Sequence, residues 1–164
     1  LTIIRPNTIY GKGFRKGSLF DMVGEMVNKH SIITRINWPG RSALIHVNDV
    51  VKAILAAINH KPSPGKPEKY LIYAENLSIA EMSEIMHKNF KIKYQPIIIP
   101  KIIWRVLSKL REYIPYFEPI LPAIIYNQMW RAGIIVDDVV MAKSDKIKKL
   151  LPKWKPILLE AGIY

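Results

Sequence analysis

Cysteine is absent from the sequence. That excludes disulfides, thiol catalysis and thiolate metal sites, and it fits a cytoplasmic protein, the expected location. Acidic residues are scarce: 13 Asp and Glu stand against 25 Lys and Arg, a formal charge of +12. Such a balance favours anionic partners. The lysines are scattered rather than gathered in one stripe, so solvated helix faces account for most of them. No long hydrophobic run occurs. The most apolar stretch, Pro119 to Trp130, has 12 residues without charge and two prolines, whereas a membrane span needs about 20. No secretory leader is visible.

Several chemical signatures are also lacking. There is no G-x-x-x-x-G-K-[ST] loop, no G-x-G-x-x-G after a strand and no H-E-x-x-H. Glu84 and His87 lie one helical turn apart, but two groups without further ligands read as an exposed helical pair, not a metal site. No metal is expected. Tyr113, Tyr116, Phe117, Tyr126 and Trp130 lie in a basic region. Yet Phe117, Leu121, Ile124, Ile125 and Gln128 repeat at helical spacing, which points to core rather than to a stacking platform. Nucleic acid is not the expected partner.

What is present suits one domain of mixed α/β type, with a few short strands and several helices. The 164 residues are 49% hydrophobic and 23% charged, ordinary for a folded chain. Residues 1–5 read as a buried strand that ends at Pro6, as expected of a piece cut from something longer. Gly11 and Gly13 mark a loop. Ser18 can cap a helix running to about His30. Ser31 to Ile36 is β-rich, and residues 37–40 signal a turn. Ala43–Val47 reads as a strand. Asn48 or Asp49 can then cap a helix Val50–Ile58, with Val51, Ile54, Leu55 and Ile58 on one face. After a Pro/Gly loop at 59–68, Tyr70–Tyr73 is a strand. Ser78 and Glu81 fit a capping box for a helix to about Asn89. Tyr94–Ile99 is again strand-like. Helices are expected at about Lys101–Tyr113, with Ile103, Val106, Leu107 and Leu110 as its apolar stripe, and at Phe117–Arg131. A short helix should start near Ser144, and a last one opens at Pro156 and ends at Gly162.

The stretch from Arg5 to Gly13 reads Arg-Pro-Asn-Thr-Ile-Tyr-Gly-Lys-Gly. It resembles the R-P-x-x-[VI]-Y-G-x-G stretch of extended short-chain dehydrogenases/reductases, the NAD-dependent epimerase/dehydratase group. Ile45 to Ile54, with His46, Asp49 and Ala53, is similar to the family's [IF]-[HY]-V-x-D-[VL]-x-x-A-[IL]. Tyr70–Tyr73 with Ser78 and Glu81, Ile99-Pro100 before a helix, and Asp138 to Leu151 followed by Pro156 and Glu160-Ala161-Gly162 continue the order.

The resemblance implies the C-terminal, substrate-side portion of a Rossmann-type enzyme, residues 1–164 forming a single substrate-side domain or fragment. NAD or NADP would be held mainly by an N-terminal part that this sequence lacks. The family's catalytic Tyr-x-x-x-Lys pair also lies N-terminal to the Arg5–Gly13 stretch, and no Tyr here has a Lys four residues later. No catalytic residue is therefore expected in this chain. Pro6, Asn7 and Thr8 would face the cofactor. Thr8, Tyr10, Arg41, Ser42 and His46 would lie toward the substrate. Tyr10 and Gly11 would shape the loop, and His46 would be a hydrogen-bonded strand residue. The implied substrate is a nucleotide sugar. Thr8 and Ser42 stand where such members often carry Asn and Arg, with Arg41 adjacent to compensate. The alternatives are a 3β-hydroxysteroid-dehydrogenase-like or dihydroflavonol-reductase-like oxidoreductase and a non-catalytic interaction module. A homo-oligomer is expected.

Overall fold

The computed structural model describes residues 1–13, 19–111, 113, 116 and 146–162. The expected helix at 117–131, the Ser18 cap and the expected helix start near Ser144 lie outside them. The chain forms two compact units. One comprises Leu1–Glu25, Ser42–Leu77 and Met141–Tyr164; the other comprises Met26–Arg41 and Ser78–Val140.

The first unit is built on parallel strands. β1 (Thr2–Pro6) pairs with β4 (Glu68–Ile72), Thr2 opposite Glu68 and Pro6 opposite Ile72. β2 (Thr8–Tyr10) pairs with β3 (Arg41–His46), Thr8 opposite Leu44 and Tyr10 opposite His46, and β5 (Glu75–Ser78) lies on the other side of β3. Ala43, Leu44 and Ile45 are consecutive and fully buried, the pattern of a strand covered on both faces. Helix α2 (Val47–Asn59) turns Val50 and Ala53 onto Ile45, Tyr70, Ile72 and Ile147. Ile4, Leu150, Leu151 and Trp154 close this core. Helix α1 (Leu19–Asn28), whose residues from Met26 onward belong to the second unit, buries Phe20, Val23 and Val27 at three/four spacing. Two single-turn helices, Ile147–Leu150 and Leu159–Gly162, complete the described residues; Pro156 lies three residues before the second.

In the second unit a 3-10 helix (Ile32–Arg35) precedes helix α3 (Ile79–Asn89) and helix α4 (Lys101–Arg111). Ser83 Oγ donates to the Thr34 carbonyl at 2.6 Å, and His87 Nδ1 donates to the Ser83 carbonyl at 2.8 Å. Trp38 and Trp104 rings lie 5.1 Å apart.

Several expectations are corrected. Ser31–Ile36 is a 3-10 turn, because Thr34 returns both its N–H and its hydroxyl to the Ser31 carbonyl. Tyr94–Ile99 forms only a single bridge, Ile97 with Ile36. α2 starts at Val47 and is capped by His46, not by Asn48 or Asp49. The bulky face of α2 is the exposed one: Val51, Ile54, Leu55 and Ile58 face solvent, while Val50 and Ala53 fill the core. The stripe Ile103, Val106, Leu107 and Leu110 of α4 is likewise exposed, and Trp104 is buried instead. His87 is buried at 2% exposure, not surface-lying. No described helix is long and apolar enough to cross a membrane.

Candidate functional site

Parallel strands bring their carboxyl ends to one edge, where open α/β sheets place their ligands. In the first unit that edge is the turn from Pro6 to Thr8. Pro6 closes the β1 ladder opposite Ile72. Asn7 N–H donates to the Ile72 carbonyl at 3.2 Å, and Asn7 Oδ1 accepts from Thr8 N–H at 3.2 Å. The carboxamide oxygen thus braces the turn through the N–H of the next residue. Thr8 Oγ1 lies 2.8 Å from Ser42 Oγ across β2 and β3. Pro6, Asn7 and Thr8 make a short uncharged turn, with Pro6 exposed and Asn7 and Thr8 half-buried. Such a surface is compatible with the flat face of a nicotinamide ring. It offers nothing to grip a dinucleotide's phosphates.

Tyr10 and His46 are neighbours, their rings 5.3 Å apart and edge-on. Both are buried, at 2% and 6% exposure. His46 Nδ1 accepts from Asn48 N–H at 3.2 Å, which satisfies one of the orphan donors at the start of α2. Tyr10 donates its hydroxyl to the Ile157 carbonyl at 2.7 Å. Burial first, then the carboxylates of Glu75 and Asp49, push this phenol well above its ordinary value, so it stays a donor. Asp49, 1% exposed, accepts from Ile157 N–H at 2.7 Å and from Lys52 Nζ at 2.8 Å. Glu75 accepts from Leu159 N–H; burial raises its pKa, and the N–H works against that rise. Three side chains from β2, β5 and α2 therefore fasten the segment 157–159.

Two glycines complete this corner. A Cβ on Gly11 (φ +129°) would lie 2.8 Å from Val47 Cγ1 and 2.9 Å from His46 Nε2. A Cβ on Gly162 would lie 2.8 Å from His46 Cδ2. The His46 ring is enclosed by backbone that only glycine allows.

Arg41 belongs to the second unit. Its guanidinium is 3.5 Å from Glu81, with side chains 32% and 48% exposed. Glu81 is also the capping-box residue of α3: it accepts from Ser78 N–H at 2.6 Å, while its own N–H donates to Ser78 Oγ at 3.1 Å. The structure thus brings Thr8 and Ser42 into contact and encloses Tyr10 with His46. Arg41 is in an ion pair with Glu81. Asp49 and Glu75 were missed as anchors of the C-terminal segment. Nothing local signals them, since their partners lie 108 and 84 residues away. Among the described residues no group of three acidic or His side chains could hold a metal ion.

The model of the NAD dependent epimerase/dehydratase family matches residues 1–72. The resemblance carried by Arg5–Gly13 and Ile45–Ile54 is borne out by that match. Solved structures share the fold over 99% of this chain. They include UDP-glucuronic acid 4-epimerase from Bacillus cereus in complex with UDP-glucuronic acid and NAD, 14% identical with a TM-score of 0.63, of which 42% is covered. UDP-glucose 4-epimerase from Thermotoga maritima with UDP-glucose is 16% identical, TM-score 0.58, 43% covered. The dTDP-glucose 4,6-dehydratase from Bacillus anthracis in complex with NAD is 14% identical, TM-score 0.59, 42% covered. The chain thus spans less than half the length of these proteins. The expected α/β fold of the Rossmann-type epimerases and dehydratases is borne out. No curated protein sequence matches the chain.

Proposed function

We propose, on the premise that residues 1–72 match the NAD dependent epimerase/dehydratase family, that this chain is the substrate-side part of an NAD(P)-dependent enzyme acting on a nucleotide sugar. The observation that carries the reading is the Pro6–Thr8 turn, set at the carboxyl end of β1 inside the matched region. The solved relatives with UDP-sugars and NAD support the substrate class and the cofactor.

When bound, the nicotinamide would supply reversible hydride transfer. Pro6, Asn7 and Thr8 would line its ring. The paired hydroxyls of Thr8 and Ser42 would orient sugar hydroxyls, each able to donate or accept. Arg41 would take a phosphate oxygen in place of Glu81, since a guanidinium matches phosphate bidentately. Tyr10, Gly11 and His46 would act one layer back, holding the turn and the 157–162 segment. Proton transfer and the grip on the dinucleotide would fall to residues outside this sequence, which has neither the Tyr-x-x-x-Lys pair nor the glycine fingerprint.

The test is calorimetry on the full-length protein that carries this chain, titrated with NAD, NADP and a panel of uridine and deoxythymidine diphosphate sugars. Binding of a dinucleotide and of one such sugar is expected. Absence of any dinucleotide binding would sink the reading. A second reading, a reductase of a less charged substrate, is favoured by the exposed apolar residues Ile102, Ile103, Val106 and Leu107 of α4. It predicts dinucleotide binding with no heat from any nucleotide sugar. The exposed faces of α2 and α4 also support self-association; a monodisperse monomer in light scattering at every concentration would remove it.

A further inference from the structure

We infer that the first unit carries an anion site for a short polyphosphate chain, in the lysine-walled pocket at the amino end of β4. The pocket encloses about 720 Å³ and is lined by His60, Ser63, Lys66, Glu68, Lys69, Tyr70, Lys146 and Lys149, with Pro67. It lies at the end of the β1–β4 pair opposite the Pro6–Thr8 turn, about 13 Å along the strands at the usual rise per residue.

Two separate chain segments deliver the charge. Lys66 and Lys69 come from the loop and first residues of β4. Lys146 and Lys149 come from the cap and third residue of the single-turn helix Ile147–Leu150. All four are exposed, and none has an ion-pair partner among the described residues. Four ammonium groups around one concavity repel one another, and each is a strongly hydrated point charge suited to phosphate oxygens.

The one carboxylate in the lining, Glu68, offsets only one of these four charges. Both oxygens of Glu68 are engaged: Oε2 by His60 Nε2 at 2.8 Å and by the Tyr70 hydroxyl at 2.7 Å, Oε1 by Ser63 N–H at 2.9 Å. This network fixes the 60–68 loop that presents Lys66. A multiply charged anion relieves the repulsion that the fold leaves in place. The lining offers little for a base to stack on: Tyr70 is 4% exposed, and the half-buried His60 ring is tied to Glu68 through Nε2. The recognised group is therefore the phosphate chain itself, whether inorganic or the tail of a nucleoside triphosphate.

The 164-residue chain is titrated calorimetrically with inorganic tripolyphosphate at low salt, and in parallel with a nucleoside triphosphate. A single saturable site is expected, alike for the two ligands and weakening as salt is added. Lys66→Ala with Lys149→Ala should weaken binding by roughly tenfold or more, as loss of charge-assisted contacts does. Lys93→Ala with Lys109→Ala, exposed lysines of the other unit, should leave it unchanged. An equal loss in that control would mean diffuse attraction to a +12 chain and would overturn the site. So would several weak equivalents, no saturable heat, or binding of the nucleotide but not of tripolyphosphate. None of these outcomes depends on dinucleotide binding by the full-length protein, so the two proposals stand or fall separately.

Discussion

Asp49 occupies the third position of α2 with its carboxylate sealed from solvent, one oxygen on Lys52 and the other on the backbone of Ile157. Removing a partner from a buried hydrogen bond costs about 1–3 kcal/mol, because the group left behind stays desolvated. Asp49→Ala should lower the urea midpoint accordingly, and Asp49→Asn, which keeps one acceptor, should lower it less. Gly11 makes a different demand. Gly11→Ala adds a clash with Val47 and His46 to a backbone strain of about 1–3 kcal/mol. At Gly13 (φ +88°) a Cβ meets nothing within 4 Å. Gly13→Ala should therefore destabilise less, and the gap between the two variants isolates the packing cost. Glu68 gives a pH signature. The Ser63 N–H, the Tyr70 hydroxyl and His60 hold its carboxyl down from an ordinary 4.5 to about 2. A depressed folded-state pKa adds stability that is complete above 4.5 and fades as pH falls toward 2. The stability difference between the parent chain and Glu68→Gln should shrink through that window. A difference that stays constant from about pH 6 down to about pH 2, across the span between the unfolded and folded pKa values, would contradict the network.

At the level of elements, α3 is the one whose start could be read residue by residue. Ser78 and Glu81 form both halves of the capping box. Ser78→Ala should cost about 1 kcal/mol, read as a lower thermal midpoint with faster amide exchange in the first turn. For α2 the pattern finds the helix but neither its start nor its cap: it begins at Val47, three residues before the expected Val50. The Asp of the motif is an anchor for a distant segment, and the His before it does the capping. β2 and β5 escaped notice because three and four residues carry no alternation to detect. They are strands only because β3, with Ala43, Leu44 and Ile45 all buried, offers a ladder on each side. The opposite error occurred at 31–36, where β-branched residues suggested a strand and local bonds to the Ser31 carbonyl won. Which face of α2 is buried was also beyond the pattern. Val50 and Ala53 fit against the sheet, and Val51, Ile54, Leu55 and Ile58, which dominate the periodicity, lie outside.

The whole molecule interleaves its two units along the chain, the first drawing on three separate segments and the second on two. The last segment of the first unit is held by bonds of very long range: Tyr10 to Ile157, Asp49 to Ile157 and Glu75 to Leu159. Deleting residues 157–164 would strip all three at once and expose the His46 ring now enclosed by Gly162. At about 1–3 kcal/mol for each buried group left unpaired, the loss is comparable with the whole stability of a small domain, about 5–15 kcal/mol. The second unit receives none of these bonds; its own ties, Ser83 to Thr34, His87 to Ser83 and the Trp38–Trp104 contact, are internal. Hydrogen exchange on the truncated chain should therefore show protection lost across β1 to β4 and α2 but retained in α3. Equal loss in α3 would mean that the chain unfolds as one cooperative block, and that the partition into two units has no energetic counterpart.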